Sequence, residues 1–265
     1  MAKIFVSLPV LGKPELKMIK SLYQAILSCK EHQVFLYTNE NDSLISRVRN
    51  VHVSAFLDEY KDCDYFVSID SDLEIINAFS TNNIFTKLIE HDKDFVGGLY
   101  ALKNPSEVKC SSVAKDKREH FDLNSGLVEM SWLSSGCWCI KREAIQRMVD
   151  NYPELHYDGD DNMSGKKVYG LYIPYIYEHE ENGIKYKKYL SEDWAFSSRW
   201  KQMGGEIWAD TSIVLRHVGQ YPYTLWNFDV VKRKKDDMIN EATSKKMPNL
   251  SDLPEAGFDL KGIDQ

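Results

Sequence analysis

Two rhythms alternate along the first 225 residues. Short apolar runs that fit strands are separated by longer stretches in which apolar residues recur every three to four positions. Residues 3–10 open with such a run and stop at Pro9, Val10, Leu11 and Gly12, a loop signal. Over 14–31, Leu16, Ile19, Leu22, Tyr23, Ile26 and Leu27 fall on helical spacing, with Pro14 in the first turn. Residues 34–37 form the next strand, 43–60 the next helix and 65–69 a third strand of β-branched and aromatic residues. Helices over 81–91, 141–151 and 193–203 and strands over 94–103 and from Glu206 continue the alternation. This order predicts an α/β fold, a mixed, mostly parallel sheet flanked by helices. Residues 104–125 are polar and turn-rich with no clear period and read as a flexible loop over a site, and 156–170, with strong turn chemistry, belong outside the sheet.

The third strand ends on two carboxylates, Asp70 and Asp72, with Ser71 between them. In a regular strand residues i and i+2 share a face, so the two acids are expected to converge at the carboxyl edge of the sheet, where open α/β sheets bind ligands. Converging hard oxygens suit Mg²⁺ or Mn²⁺, which takes its other ligands from water and substrate phosphates. Alone the tripeptide reads as a solvated turn, and the apolar strand behind it is what favours a site.

Other polar residues fall at comparable breaks. Arg47, Arg49, Asn50 and His52 lie in the helix before the acidic pair. Each alone reads as a solvated helix face, while together they offer paired donors to a diphosphate. Ser134, Ser135 and Gly136 interrupt an apolar run near Trp132 and Trp138, leaving room for a sugar or base or marking a turn in the core. Glu192 and Asp193 follow Ser191 at a helix start. Acids are favoured there by the helix dipole, and one of them can instead serve as a general base. His217 closes a later strand and is either a hydrogen-bonded structural residue or a metal ligand.

Composition narrows the classes. The chain of 265 residues carries a net charge of −7, which argues against a surface that coats nucleic acid. Its one basic run, Lys232 to Lys235, is followed at once by Asp236 and Asp237 and reads as a solvated helix face. The five cysteines are odd in number and irregularly spaced, which fits neither a disulfide framework nor a zinc site. Reduced thiols and a cytoplasmic location are expected. No stretch approaches the roughly 18 apolar residues of a membrane span. Nothing calls for a second large domain: 1–225 is expected to form one unit, and 226–265 a charged helix over 226–246 with a peripheral tail.

Taken in order, Arg47-Val48-Arg49-Asn50, Ile69-Asp70-Ser71-Asp72, Ser135-Gly136-Cys137, Ser191-Glu192-Asp193-Trp194 and His217-Val218-Gly219 resemble the motif succession of GT-A glycosyltransferases. The likeness is greatest to the compact bacterial, phage and large-DNA-virus type, and it spans residues 3–223. It implies a Rossmann-like fold and transfer of a sugar from a UDP- or GDP-sugar, assisted by Mn²⁺ or Mg²⁺. By the resemblance, Asp72 ligates the metal, Asp70 contacts the ribose or a metal-bound water with Ser71 beside it, and His217 is a further ligand. Pro9 and Val10 match the loop beneath the base, and Arg47 and Asn50 the helix that closes on the nucleotide sugar. Asp193 matches the base of inverting members, with Glu192 the second candidate. The acceptor is a glycan, a protein or a hydroxymethylated DNA base, since 104–125 and 156–189 match no acceptor pattern.

Two rival classes stay open on sequence grounds. A nucleotidyltransferase would join a nucleoside triphosphate to a sugar phosphate, but it calls for a Gly-rich basic loop that residues 9–13 approximate poorly. A non-catalytic carbohydrate or nucleic-acid binding module would account for the tryptophans and the basic run.

Overall fold

The computed structural model describes residues 1–39, 42–76, 83–160, 163–181, 183–219 and 222–225. In chain order these form β1 (Lys3–Pro9), α1 (Leu16–Ser28), β2 (Gln33–Asn39), α2 (Ile45–Asp58), β3 (Tyr65–Ile69), β4 (Leu73–Ile75), α3 (Ile84–Glu90), β5 (Phe95–Gly98), β6 (Val113–Ala114), β7 (Leu127–Trp132), β8 (Cys137–Lys141), α4 (Arg142–Asn151), β9 (His156–Asp158), β10 (Lys167–Tyr169), β11 (Tyr175–Glu181), β12 (Ile184–Leu190), α5 (Glu192–Gln202), β13 (Ile207–Asp210), β14 (Leu215–Val218) and β15 (Pro222–Tyr223). The helix expected over 226–246, the basic run within it and the tail lie outside the described residues.

The main sheet has the order β2-β1-β3-β8-β5-β13-β7-β6. β8 and β7 run against the other six, which gives the mixed, mostly parallel sheet expected from the alternation. Alternate residues of each central strand feed two different cores, which is why these strands read as nearly unbroken apolar runs. Phe5 and Phe66 join Phe56, Trp138, Tyr172 and Phe196 on one side, packed with α2, α4 and α5. Ile4, Val6, Val67 and Ile69 join Leu22 and Leu88 on the other, under α1 and α3. The five thiols are unpaired, and all but Cys110 are buried.

Three differences from the sequence expectation bear on the site. The strand expected over 94–103 ends at Gly98, and the following segment leaves the sheet to form an isolated bridge between Ala101 and Cys110. Gly97 lies where a Cβ would stand 2.3 Å from the Cys137 carbonyl oxygen, so the strand is pressed tightly against β8. β14 belongs to a separate three-stranded sheet, β15-β14-β4, that carries the chain from the acidic turn to His217. Finally, β11 and β12 form an antiparallel hairpin with no precedent in the sequence reading, because its Tyr, Lys and Glu residues leave neither face apolar. No helix among the described residues is long and apolar enough to cross a membrane.

Candidate active site

β3 turns Phe66 toward α2 and Val67 and Ile69 away from it, so by alternation Asp70 leaves the sheet on the α2 side. There it meets Arg49, whose Nη2 donates to Asp70 Oδ1 at 2.6 Å. The chain then turns, with Leu73 N–H donating to Asp70 O at 3.1 Å. That turn breaks the period of two, and the expected single point of convergence becomes two separate anchors. Asp72 Oδ2 accepts from Lys103 Nζ at 2.5 Å and faces His217 Nε2 at 3.4 Å.

Arg49 organises the first anchor. It shares a helix stripe with Val53 and Phe56, at i, i+4 and i+7, and is only 3% exposed. Its Nη1 donates to Glu192 Oε1 at 2.7 Å, so one guanidinium ties the end of β3 to the start of α5. Burial works to lower the Arg49 pKa, but Asp70 and Glu192 outweigh it and the guanidinium stays charged. On the partner, burial raises the Glu192 pKa; Arg49 opposes that rise only in part, and Asp193 adds to it.

His217 organises the second. β14 pairs with β4 so that His217 stands opposite Leu73, and Val218 N–H donates to Asp72 O at 2.8 Å. With the ring neutral, Nδ1–H donates to the Ala101 carbonyl at 2.8 Å, which leaves the Nε2 lone pair facing Asp72. Burial acts to raise the Asp72 pKa, and its contacts with His217 and Lys103 bring it below the ordinary carboxylate value. Two acceptors facing each other call for a cation between them. Two cis ligands of an octahedral ion at about 2.1 Å lie about 3 Å apart, close to the observed separation, so the pair fits Mg²⁺ or Mn²⁺. Among the described residues no group of three His, Cys, Asp or Glu residues forms around it, so further ligands would come from solvent and substrate.

At the start of α5, Asp193 Oδ1 accepts the Trp194 N–H at 2.8 Å and the Ser191 hydroxyl. Its Oδ2 has no hydrogen bond among the described residues. Behind Asp70, Gly136 O accepts the Asp70 N–H at 2.9 Å, and Gly136 N–H donates to the Tyr100 hydroxyl at 3.1 Å. A Cβ at Gly136 would lie 2.6 Å from Leu73 Cδ1 and 2.7 Å from Tyr100 Oη. The small-residue break therefore makes room for protein atoms beneath the acidic turn. Trp138 is a fully buried core residue, whereas Trp132 is half-buried and stacks on Trp194 at 5.3 Å between ring centroids.

Pro9 ends β1, and Val10 lines an apolar cleft of about 350 Å³ with Leu8, Pro14, Tyr23 and Leu36. Asp70, Asp72 and Asp193 are not among its lining residues, but Glu15 N–H donates to Ser71 O at 3.0 Å and fastens its edge to the acidic turn. Arg47 is spent on Asp42, at 2.8 and 2.9 Å. Asn50 is buried, and its Oδ1 accepts the Tyr172 N–H at 2.8 Å. His52 is buried between Ser7 Oγ at 2.7 Å and Asn39 Oδ1 at 3.0 Å. Of the four clustered polar residues of α2, Arg49 is thus the one that reaches the acids. The sequence signal for it was its place on the core stripe, where an arginine must have a charged partner. Lys103 had no such signal.

No protein-family model matches the chain, and no curated protein matches it in sequence. Among solved structures, the chain is similar to A197 from STIV, with a TM-score of 0.50, 18% identity, and 83% of this chain and 87% of that one covered. A glycosyltransferase involved in the glycosylation of the major capsid of PBCV-1 aligns at a TM-score of 0.33 and 11% identity, over 56% of this chain and 66% of that one. A Drosophila β1,4-galactosyltransferase 7 mutant, in complex with manganese, UDP-Gal and xylobiose, aligns at 0.41 and 14% identity, over 95% of this chain and 78% of that one. The fold is the mixed, mostly parallel α/β architecture that the sequence predicted, and its likeness to A197 from STIV extends over most of both chains.

Proposed function

We propose that the protein is a metal-assisted glycosyltransferase that moves a sugar from a nucleoside-diphosphate sugar to an acceptor hydroxyl. One observation carries this reading: Asp72 Oδ2 and His217 Nε2 face each other at 3.4 Å, at the end of the strand that also presents Asp70. Such an oxygen-and-nitrogen pair would hold Mn²⁺ or Mg²⁺, which supplies a Lewis acid that neutralises charge on the departing diphosphate.

The chain's own residues fill the remaining roles. Asp193, with Oδ1 held by Ser191 and Trp194, accepts the proton of the acceptor hydroxyl at Oδ2. Attack from the face opposite the diphosphate inverts the anomeric centre. Glu192 is the second candidate base, and its engagement with Arg49 favours Asp193. Asp70, pinned at one oxygen by Arg49, offers the other to a ribose hydroxyl, with Ser71 beside it. Pro9 and Val10 border the place of the base. Arg49 takes the part that the motif resemblance gave to Arg47 and Asn50, acting through the carboxylates it orients. The donor class is a UDP- or GDP-sugar and the acceptor a glycan. Unpaired thiols suit a reducing cytoplasm.

The test is incubation with Mn²⁺ and a panel of nucleotide sugars. Release of nucleoside diphosphate that EDTA abolishes supports the reading. Pyrophosphate release from a triphosphate would instead favour a nucleotidyltransferase, and no turnover of either kind a binding module.

A further inference from the structure

Lys103 already places a cation on the proposed metal ligand. Its Nζ lies 2.5 Å from Asp72 Oδ2, the same oxygen that His217 Nε2 faces at 3.4 Å. The placement is built in from three directions. The segment that carries Lys103 is tied down by the Ala101 and Cys110 bridge and by Leu102 N–H donating to Lys109 O at 2.8 Å. Two residues before the lysine, the Ala101 carbonyl sets the His217 ring. On the far side, Gly219 leaves the lysine stem its room, since a Cβ there would stand 3.3 Å from Lys103 Cδ. One short segment thus fixes the histidine and delivers the ammonium, and the glycine of His217-Val218-Gly219 is accounted for by a residue outside that motif.

An ammonium is a compact point charge on a flexible four-carbon stem, able to change partners at small cost. Sharing that oxygen with a divalent ion is disfavoured, because the two like charges would stand a few ångströms apart. We infer that Lys103 is an exchangeable counter-ion of the site: it holds Asp72 in the free protein, gives up the carboxylate when a divalent cation binds, and passes to the diphosphate of the donor. Lys103 is on this view a positioning residue. The exchange makes cation and diphosphate binding mutually reinforcing, since a diphosphate gives the displaced ammonium a new partner. This inference rests on the metal-assisted reading above.

The experiment is a titration of free protein with Mn²⁺ followed by its electron paramagnetic resonance signal, in wild type, Lys103→Met, Lys103→Arg and Asp72→Asn, with nucleoside diphosphate binding measured by calorimetry in saturating Mn²⁺. Loss of an exposed competing pair should tighten Mn²⁺ binding to Lys103→Met by about two- to fivefold. Nucleoside diphosphate should bind the Mn²⁺-loaded Lys103→Met protein about tenfold more weakly, with Lys103→Arg close to wild type. Unchanged or weaker Mn²⁺ binding by Lys103→Met, with wild-type binding still lost in Asp72→Asn, overturns the exchange and leaves the metal site standing. Equal Mn²⁺ binding by wild type and Asp72→Asn, or none by either, overturns both. Thermal unfolding of each variant separates these outcomes from loss of fold.

Discussion

Arg49 Nη1 lies 2.7 Å from Glu192 Oε1 across a sequence separation of 143 residues, while its Nη2 holds Asp70 at 2.6 Å. A single buried charge thereby sets the spacing between the acid expected at the donor and the helix that carries the expected base. Arg49→Met leaves two carboxylates, each about four-fifths buried, without their counter-charge. The expected loss is about 2–4 kcal/mol of stability, set below the usual cost for a fully buried pair because water reaches both acids. Urea unfolding measures it, and adding Asp70→Asn to Arg49→Met should restore part of the loss.

Asp193 and Glu192 are neighbours with different surroundings, and turnover should tell them apart. Asp193→Asn keeps the helix-start hydrogen bond available to an amide oxygen, so its melting temperature should stay near wild type while transfer falls roughly 10²–10⁴-fold. Glu192→Gln weakens an ion pair to Arg49 and should act mainly on stability. A larger fall in transfer for Glu192→Gln than for Asp193→Asn would exchange the two roles.

His217→Gln removes the proposed nitrogen ligand, so Mn²⁺ affinity should drop about 10- to 100-fold. Substituting Ala101 cannot test this, because the acceptor is its backbone carbonyl. Chelation by EDTA should abolish transfer by wild type, and excess Mn²⁺ should restore it. Transfer that survives chelation would remove the metal from the account.

His52 gives the protein an acid-side slope in stability. Burial first, and the nearby Arg49 charge second, hold its pKa down to about 3 from the ordinary 6.5. As the pH falls below 6.5 the unfolded chain takes up a proton that the folded chain refuses, so stability is lost progressively between about pH 6.5 and 3, by about 1.4 kcal/mol per unit. Above 6.5 this group contributes no slope. Urea midpoints measured from pH 7 to 4 test the sign, and His52→Gln should flatten that part of the curve.

The sequence made the sheet legible because its central strands are apolar on both faces and its helices are amphipathic. Asp70, Asp72, Asp193 and His217 stood out as candidates because each lies at or near the end of an apolar strand run or at a helix start. What stayed hidden depends on tertiary geometry. The turn after Asp70 separates the two acids, and no residue in Ser71 or Asp72 announces it. Arg49 and Arg47 are two positions apart and so lie about 200° apart around the helix, and although the stripe of Val53 and Phe56 marks Arg49 as the inward one, it does not say which acids Arg49 meets. The β11–β12 hairpin carries no such apolar pattern, because its tyrosine, lysine and glutamate residues leave both faces open to water.

β8 threads between β3 and β5 against the direction of both, pairing Ile69 with Cys137 and Gly97 with Trp138. The candidate site therefore draws its partners from segments far apart in the sequence. A nascent chain that has reached the acidic turn has made the aspartates but not the Gly136 carbonyl that holds the Asp70 N–H, nor the helix that receives Arg49. Each of these partners arrives by closing a long loop, which slows folding but makes the final step cooperative.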